Sequence, residues 1–265
     1  MLTVVTSGKA APGATTSTWS LALTWPRPLV VVDCDPAGGD MAPGFLAGRV
    51  TTEHGLLSWS AAARRGVPAL AAAALFAEHV VELSERDGVW FLPGFTNTTQ
   101  GLSFTDEIWE RLALALGRCS AAIGRDGLVD AGRLACDRGN WPVLRAADQV
   151  LLAVRPSVRS VHAAQDATTK LRHELGDLNN VSALVIGSGP YPAAEVASAL
   201  QLPLGGALPE DRYAAAVLSD GAAQSLTKPL HRSPLLRSAI RVSRQLAEGC
   251  VHPDATTYIG VGEAR

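Results

Sequence analysis

The sequence predicts an α/β fold: a doubly wound, mostly parallel sheet with helices on both faces, in three layers. Apolar runs of strand length alternate with segments of helical character along nearly the whole chain, as in consecutive β–α units. The runs are continuous, which is typical of strands buried on both faces. No repeat or linker interrupts the pattern, so we expect one domain over residues 1–248 and a flexible polar tail over 249–265.

Eight apolar runs give the predicted strands. In chain order they are LTVVTS at 2–7, PLVVVDCD at 28–35, HVVEL at 79–83, GVWFLPG at 88–94, DGLVDAG at 126–132, DQVLLAVRP at 148–156, NVSALVIGSG at 180–189 and LPLGGALP at 202–209. The runs at 79–83 and 88–94 flank the turn-like SERDG, so they are either paired with each other or separate strands.

Seven segments between or after these runs are predicted helices. They lie at 15–25, 56–65, 69–78, 105–119, 157–175, 193–200 and 233–247. The segment 105–119 is amphipathic, with Ile108, Leu112 and Leu116 on one face.

The closing segment, 233–247, has a basic side opposite an apolar one. Arg237, Arg241 and Arg244 recur at spacings of four and three, so they share one side of the helix. This side is either the solvated face of a packed helix or a weak patch for nonspecific DNA or an anionic membrane surface.

Composition excludes several classes of protein. Of the 265 residues, 47% are apolar and 18% are charged, which argues against a disordered chain. The net charge of −2 gives no general attraction to nucleic acid or acidic membranes. The four cysteines are scattered, without metal-ligand spacing, and Cys34 lies within an apolar run as a buried small residue would. With no secretory signal and no run of about 20 apolar residues, we expect a soluble, cytoplasmic protein.

The stretch GKAAPGATTS at 8–17 joins the first strand to the first helix and has the length of a phosphate-binding loop. The standard pattern is G-x-x-x-x-G-K-[ST]; here Gly8 and Gly13 match, Ala14 replaces the lysine, and Thr15 follows. Backbone amides and a helix N-terminus bind phosphate in such loops, and the hydroxyl binds Mg²⁺. The alternative is a plain strand–helix turn that contains two glycines.

Three aspartates follow apolar runs. Asp33 and Asp35 end the second predicted strand, and Asp130 lies near the end of the fifth. Ligands of parallel sheets bind at the carboxyl ends of strands, so Asp130 has the position expected of a Walker B carboxylate. Taken singly, each aspartate is also explained as a helix cap or turn residue.

In this order, the segments SGKAAPGATTSTWSLAL, PLVVVDCDPAGGD, GLVDAG, ADQVLLAVRPSVRSV and LPLGGALPEDRYAAAVLSDG resemble the ParA/MinD family of deviant Walker A P-loop ATPases. The resemblance runs from Met1 to about Ala247 and is greatest to short actinobacterial members and to the CpaE/TadZ pilus-locus branch. It implies a P-loop NTPase fold that binds ATP and Mg²⁺ and forms a homodimer on ATP binding.

The resemblance also assigns residues. It places nucleotide contacts along the loop, at Gly8, Lys9, Ala10, Ala11, Pro12, Gly13, Ala14, Thr15 and Thr16. Lys9 matches the signature lysine that reaches nucleotide in the partner subunit, and Thr15, Asp35 and Asp130 match metal-binding positions. Asp35 also matches the residue that orients water, and Asp33 caps or supports the loop that carries it. Pro209 and the following Glu210 and Asp211 fall where relatives contact adenine.

Departures from the family pattern predict altered binding. Loss of the lysine at Ala14 removes a charge-assisted phosphate contact worth about 1.5–3 kcal/mol, or roughly ten- to hundred-fold in affinity. Ala10 and Ala11 replace two glycines, which predicts a differently shaped loop. Lys9 from a partner subunit would restore one cation, so tight binding is expected to depend on dimerisation.

The leading hypothesis is therefore a slow, Mg²⁺-dependent ATPase that acts as a dimerising switch. Its dimer would position a cargo, such as a plasmid, another DNA segment, or pilus or secretion machinery, through a cargo or adaptor protein. The alternative is an inactive pseudo-ATPase that serves as a protein-interaction scaffold, which the alanine at position 14 suggests. An ATPase acting on a small substrate is a third hypothesis, although the sequence contains no second cluster of catalytic residues.

Overall fold

The computed structural model describes residues 1–8, 13–46, 54–83, 86–134, 139–221 and 230–249. Eight strands form one sheet in the order β3-β4-β2-β5-β1-β6-β7-β8. They are β1 (Leu2–Ser7), β2 (Leu29–Asp33), β3 (Val81–Glu82), β4 (Val89–Leu92), β5 (Asp126–Arg133), β6 (Gln149–Val154), β7 (Val181–Ile186) and β8 (Leu204–Leu208). Every neighbouring pair is parallel except β3 and β4.

The helices flank this sheet. They are α1 (Ala14–Ala22), α2 (Leu56–Ala62), α3 (Ala69–Ala74), α4 (Phe76–His79), α5 (Thr98–Ser103), α6 (Asp106–Leu116), α7 (Cys119–Ile123), α8 (Trp141–Arg145), α9 (Val158–Leu175), α10 (Ala193–Ala199), α11 (Arg212–Asp220) and α12 (Pro234–Ala247). A short 3₁₀ turn, Leu230–Arg232, precedes α12.

Successive side chains of the central strands pack into two separate cores, one on each face of the sheet. Val4, Val30 and Val32 belong to the core on one face, whereas Val5 and Val31 belong to the core on the other. This alternation follows from the two-residue period of a strand. The continuous apolar runs therefore indicate burial on both faces, and the predicted three-layer α/β fold is confirmed.

The structure resolves the open question about the two runs around SERDG. Residues Val81 and Glu82 pair antiparallel with Phe91 and Trp90, so the runs are partners at the edge of the sheet. Strand β4 then pairs in parallel with β2, in register from Leu29 opposite Val89.

Several predicted helix boundaries were wrong. Helix α1 ends at Ala22 instead of residue 25, and Pro26 disfavours helical backbone at Trp25. The predicted helix at 105–119 divides into α6 and α7, and that at 69–78 into α3 and α4. The unpredicted helices α5 and α8 have only six and five residues, too few turns for a clear apolar period. The longer α11 was also missed, although Asp211 caps it.

Helix α12 packs with its apolar side against α1 and β8. Leu235, Ala239 and Leu246 are buried, and the Ser243 hydroxyl donates a hydrogen bond to the Thr24 carbonyl at 2.8 Å. Arg237, Arg241 and Arg244 are exposed on the other side. Of the predicted tail at 249–265, residues 250–265 lie outside the described residues. In the part of the chain that the structure describes, no helix is both long and apolar enough to cross a bilayer.

Candidate functional site

The candidate site lies where the carboxyl ends of β1, β2 and β5 meet. Strand β1 lies between β5 and β6. Strands β2 to β5 are on one side of it, and β6 to β8 are on the other. This reversal of strand order is where open α/β sheets bind ligands. Gly8 follows β1 at this edge and Gly13 precedes α1; the loop residues between them, Lys9, Ala10, Ala11 and Pro12, are outside the described residues.

The N-terminus of α1 has neither a capping side chain nor an acidic residue of its own first turn. Gly13 has φ 106° and gives no side-chain cap, and the first turn contains no acidic residue. Ala14 is buried, whereas Thr15 and Thr16 are half-buried. The backbone amides and the dipole at such a helix end favour an anion.

Gly8 has a packing role at the start of the loop. A Cβ atom at this position would lie 2.6 Å from the carbonyl oxygen of Ala163 on α9. Because α9 leaves no room for a side chain, the first glycine of the loop is explained by close packing as well as by phosphate binding.

Thr15 and Asp130 connect the first turn of α1 to β5. The Thr15 hydroxyl donates a hydrogen bond to the Asp130 carboxylate, and the Gly132 amide donates another, at 3.0 Å to Oδ1. Burial raises the pKa of Asp130 to about 6, even though both hydrogen bonds favour the charged form. A cation placed beside this carboxylate would reverse the cost of its burial.

Asp33 lies beneath the site. It stands opposite Asp130 in the parallel register of β2 and β5, and it is 1% exposed. Burial and the charge of Asp130 raise its pKa well above the usual range. Its carboxylate accepts hydrogen bonds from the amides of Asp35, at 3.2 Å, and Met41. The prediction that Asp33 supports the loop after β2 is confirmed.

Asp35 follows Asp33 by two residues, and its carboxylate packs against β5. Its Oδ1 accepts a hydrogen bond from the Ala37 amide at 2.8 Å. A Cβ at Gly132 would lie 2.2 Å from the Asp35 Cγ, so the carboxylate is packed directly on this glycine. Burial raises the pKa of Asp35, while the Ala37 hydrogen bond and the positive charge of Arg133 oppose that rise.

Two residues of this region were missed by sequence reasoning. The Asn140 side-chain amide donates to the carbonyls of Cys34 and Ala131, both at 2.8 Å, and so ties the end of β2 to the end of β5. No local pattern marks this lone asparagine. Arg133 ends β5 beside Asp35. The sequence did contain an indication of Arg133, because it is a cationic residue only three positions after Asp130.

The predicted base-contacting residues follow β8, on the side of β1 where β6, β7 and β8 lie. Gly13 faces Ile186 at the end of β7, and the next residue, Gly187, donates its amide to the Leu208 carbonyl at 2.8 Å. The following Pro209 and Glu210 extend along the same edge. Glu210 lies beside Gly187, on which the Arg155 guanidinium also packs.

Asp211 was predicted beside these residues, but its carboxylate has a structural task. Its Oδ1 accepts a hydrogen bond from the Ala214 amide at 3.1 Å and thereby caps α11. The carboxylate next to it in sequence, Glu210, is the one left near the edge of β7.

The donor set at this edge fits magnesium. Thr15, Asp35 and Asp130 supply a hydroxyl and carboxylate oxygens, which are the ligands that Mg²⁺ prefers. No group of three or more His, Cys, Asp or Glu in the described ranges is arranged as a metal cage. Magnesium at phosphate sites needs none, because it uses one or two carboxylates together with phosphates and water.

No family model matches the chain, and no curated protein matches its sequence. Solved structures with the same fold are nevertheless found. The MinC:MinD cell division complex of Aquifex aeolicus has a TM-score of 0.68 at 15% identity, over 94% of this chain and 96% of that one. A ParA family ATPase from Chlorobium tepidum has a TM-score of 0.68 at 17% identity, over 91% and 98%.

The septum site-determining protein MinD from Pyrococcus horikoshii, solved with Mg-ADP, is similar in the same way. It has a TM-score of 0.68 at 15% identity and covers 96% of this chain and 100% of its own. These likenesses show that the chain has the P-loop fold of the MinD and ParA ATPases.

Proposed function

We propose that this protein is an ATP- and magnesium-dependent switch that dimerises when nucleotide binds and positions a cargo in the cytoplasm. The cargo would be a plasmid or other DNA segment, or a pilus or secretion assembly, engaged through a cargo or adaptor protein. Hydrolysis is slow, and its role is to release the dimer. The proposal places the chain with the MinD and ParA ATPases in function as well as in fold.

The observation that carries this proposal is the hydrogen bond from Thr15 to Asp130 at the uncapped N-terminus of α1. A hydroxyl, a buried carboxylate and a positive helix end lie together, with Asp35 packed beside them. A plain strand–helix turn has no need for buried carboxylates whose burial costs stability. Binding of a magnesium ion together with a phosphate would explain why the protein keeps these carboxylates despite that cost.

Each residue then has a task in nucleotide binding. The first turn of α1, from Ala14 to Thr16, holds phosphate through backbone amides, and Thr15 with Asp130 and Asp35 holds magnesium. Magnesium, when bound, neutralises charge on the phosphate oxygens. Asp35 also orients the attacking water. Pro209 and Glu210 contact the base beyond the end of β7.

Lys9 has a proposed task in the dimer, where it reaches phosphate across the subunit interface. The MinD of Pyrococcus horikoshii is complexed with Mg-ADP, and the MinD of Aquifex aeolicus forms a complex with another protein, MinC. Both support a nucleotide- and partner-binding role for the same fold here.

One observation favours the second candidate, a pseudo-ATPase scaffold. Ala14 is buried at the position where the loop's own lysine is expected, so no cation extends from the first helical residue. A scaffold would keep the fold without binding nucleotide. The retained hydroxyl and carboxylates argue against it, because a scaffold gains nothing from them.

Sedimentation velocity tests the switch. The wild-type chain is expected to shift from monomer to dimer when Mg-ATP is added, and Lys9→Ala is expected to remain monomeric. Lys228→Ala, which removes one lysine elsewhere in the chain, should behave like wild type. An identical profile with and without Mg-ATP in all three proteins would contradict the proposed switch.

A further inference from the structure

The end of β5 contains a bulge that directs Arg133. Val5 of β1 pairs with Asp130, but Ser7, two residues on, pairs with Arg133, three residues on. The extra residue is accommodated where Gly132 has φ +62°, a conformation that favours glycine. Bulges next to functional sites commonly re-aim a side chain. Pairing resumes beyond it, where the Leu134 amide donates to the Ser7 carbonyl at 2.9 Å.

At the bulge, Arg133 shares one cavity with the first glycine of the loop and another with Asp35. Arg133 lines a cavity of about 630 Å³ together with Gly8, the first glycine of the loop. It also lines a second cavity, of about 410 Å³, together with Asp35. The pKa of Asp35, which burial raises, is held down in part by the charge of Arg133. Arg133 therefore borders both the cavity beside the first glycine of the loop and the cavity beside Asp35.

Arg133 is exposed, and its guanidinium makes no hydrogen bond or ion pair with any residue in the described ranges. Its planar group offers five N–H donors in a geometry that matches phosphate oxygens. Lys170 of α9 lines the larger cavity as well, but Asp166, an acidic residue of the same helix, lines it too. Among the described residues that line these cavities, Arg133 is the cation that borders both.

We propose that Arg133 contacts the terminal phosphate of the bound nucleotide and supplies, within the same subunit, the positive charge that the loop lacks at Ala14. The proposal rests on the proposed function, because it requires a nucleoside triphosphate at this edge of the sheet. It also goes beyond it, since it assigns the missing charge to β5 instead of to the loop or to a partner subunit. Arginines that act on phosphates in cis stabilise the charge that develops during phosphoryl transfer.

Nucleotide affinities measured on the monomer test the proposal. ATP and ADP, each with magnesium, would be titrated into wild type, Arg133→Ala and Arg133→Lys at protein concentrations below dimerisation. Arg133→Ala should weaken ATP binding about ten- to hundred-fold and ADP binding less than about threefold, because only ATP presents the terminal phosphate. Arg133→Lys should recover part of the loss, since lysine keeps the positive charge but lacks the planar guanidinium with its five N–H donors.

Lys170→Ala is the matched control, because it removes another cation that lines the same cavity and should leave the ATP-to-ADP affinity ratio unchanged. An unchanged ratio in Arg133→Ala, or a loss in Lys170→Ala of the size expected for Arg133→Ala, would overturn the assignment while leaving the proposed function intact. If wild type binds neither nucleotide, the proposed function fails and this inference fails with it. Thermal unfolding of each variant establishes that the fold is retained.

Discussion

The Thr15 hydroxyl donates a hydrogen bond to the carboxylate of Asp130, which is 1% exposed. This contact joins the first turn of α1 to the end of β5, two elements that are more than a hundred residues apart in sequence. It sets the hydroxyl and the carboxylate side by side, as magnesium coordination at a phosphate loop requires. Substitutions at these two residues should therefore affect metal-dependent binding and stability in separable ways.

Removing the Thr15 hydroxyl should impair the magnesium-dependent part of ATP binding. Thr15→Ala leaves the helix end intact but deletes a proposed metal ligand, so ATP affinity should fall about tenfold in magnesium and little in EDTA. Thr15→Ser is the matched control and should bind like wild type. Equal loss in both buffers would show that Thr15 acts on the fold instead of on the metal.

Restoring the loop's lysine should tighten ATP binding. Ala14→Lys adds a cation at the first residue of α1, and a charge-assisted phosphate contact should raise monomer affinity about ten- to hundred-fold. Ala14→Gln has a long side chain without the charge and should not reproduce the gain. If Ala14→Lys and Ala14→Gln bind ATP equally, the phosphates do not lie at the N-terminus of α1.

The gathering of Thr15, Asp35 and Asp130 was predictable from sequence. Asp35 and Asp130 follow apolar runs and Thr15 follows the loop after the first run, and the carboxyl ends of neighbouring parallel strands meet at one edge of the sheet. The supporting role of Asp33 was implied by the family resemblance, and the structure adds that Asp33 is opposite Asp130 in register.

Arg133 and Asn140 could not be assigned in this way. The direction of Arg133 depends on a one-residue bulge between β1 and β5, which the pattern of apolar residues does not encode. Asn140 acts through a contact with Cys34, 106 residues away. Such contacts depend on tertiary packing and leave no periodic signal. The short helices α5 and α8 were missed for a similar reason, since packing stabilises them and their own propensity does not.

The burial of Asp130 should make stability depend on pH. Its folded pKa of about 6 exceeds the usual 3.8, so the folded state binds more protons between these values, and stability falls as pH rises through that window. Asp130→Asn removes this loss. Without nucleotide, it should be more stable than wild type at pH 8 by about 1–3 kcal/mol, and the advantage should shrink at pH 4.

Urea unfolding at both pH values measures this difference. Asp148→Asn, at an aspartate whose carboxylate lies at the other end of the sheet next to Leu2, is a control for the loss of an acidic residue. An Asp130→Asn variant that is less stable than wild type at pH 8 would contradict the account of Asp130 as a carboxylate held at a cost in stability.

Asp126, at the start of β5, should stabilise the folded protein in its charged form, whereas Asp130 destabilises it. Burial favours its neutral form, but hydrogen bonds from Trp25, at 2.9 Å, and Arg27, at 2.6 Å, contribute to a lowered pKa. Asp126→Ala leaves the buried Trp25 indole N–H without an acceptor, so it should destabilise the protein by about 2–4 kcal/mol at pH 7.

The stability that Asp126 contributes should also depend on pH, and it should decrease as the pH falls. A lowered folded pKa gives stability that is present above the usual pKa of 3.8 and lost as the pH falls through the folded value. The difference between wild type and Asp126→Ala in urea unfolding should therefore shrink at about pH 3. Asp126→Asn, which keeps an acceptor for Trp25, should lose less at pH 7 than Asp126→Ala does.

Calorimetric titration of the wild-type chain with ATP and magnesium tests the central claim, that this edge of the sheet binds nucleotide. We expect a saturable heat at submillimolar to low-millimolar ATP, weakened by EDTA and by Thr15→Ala. A titration up to about 5 mM ATP would reveal a Kd of about 1 mM, which corresponds to about −4 kcal/mol. No heat over that range would contradict the claim and favour a scaffold that keeps the fold without the ligand.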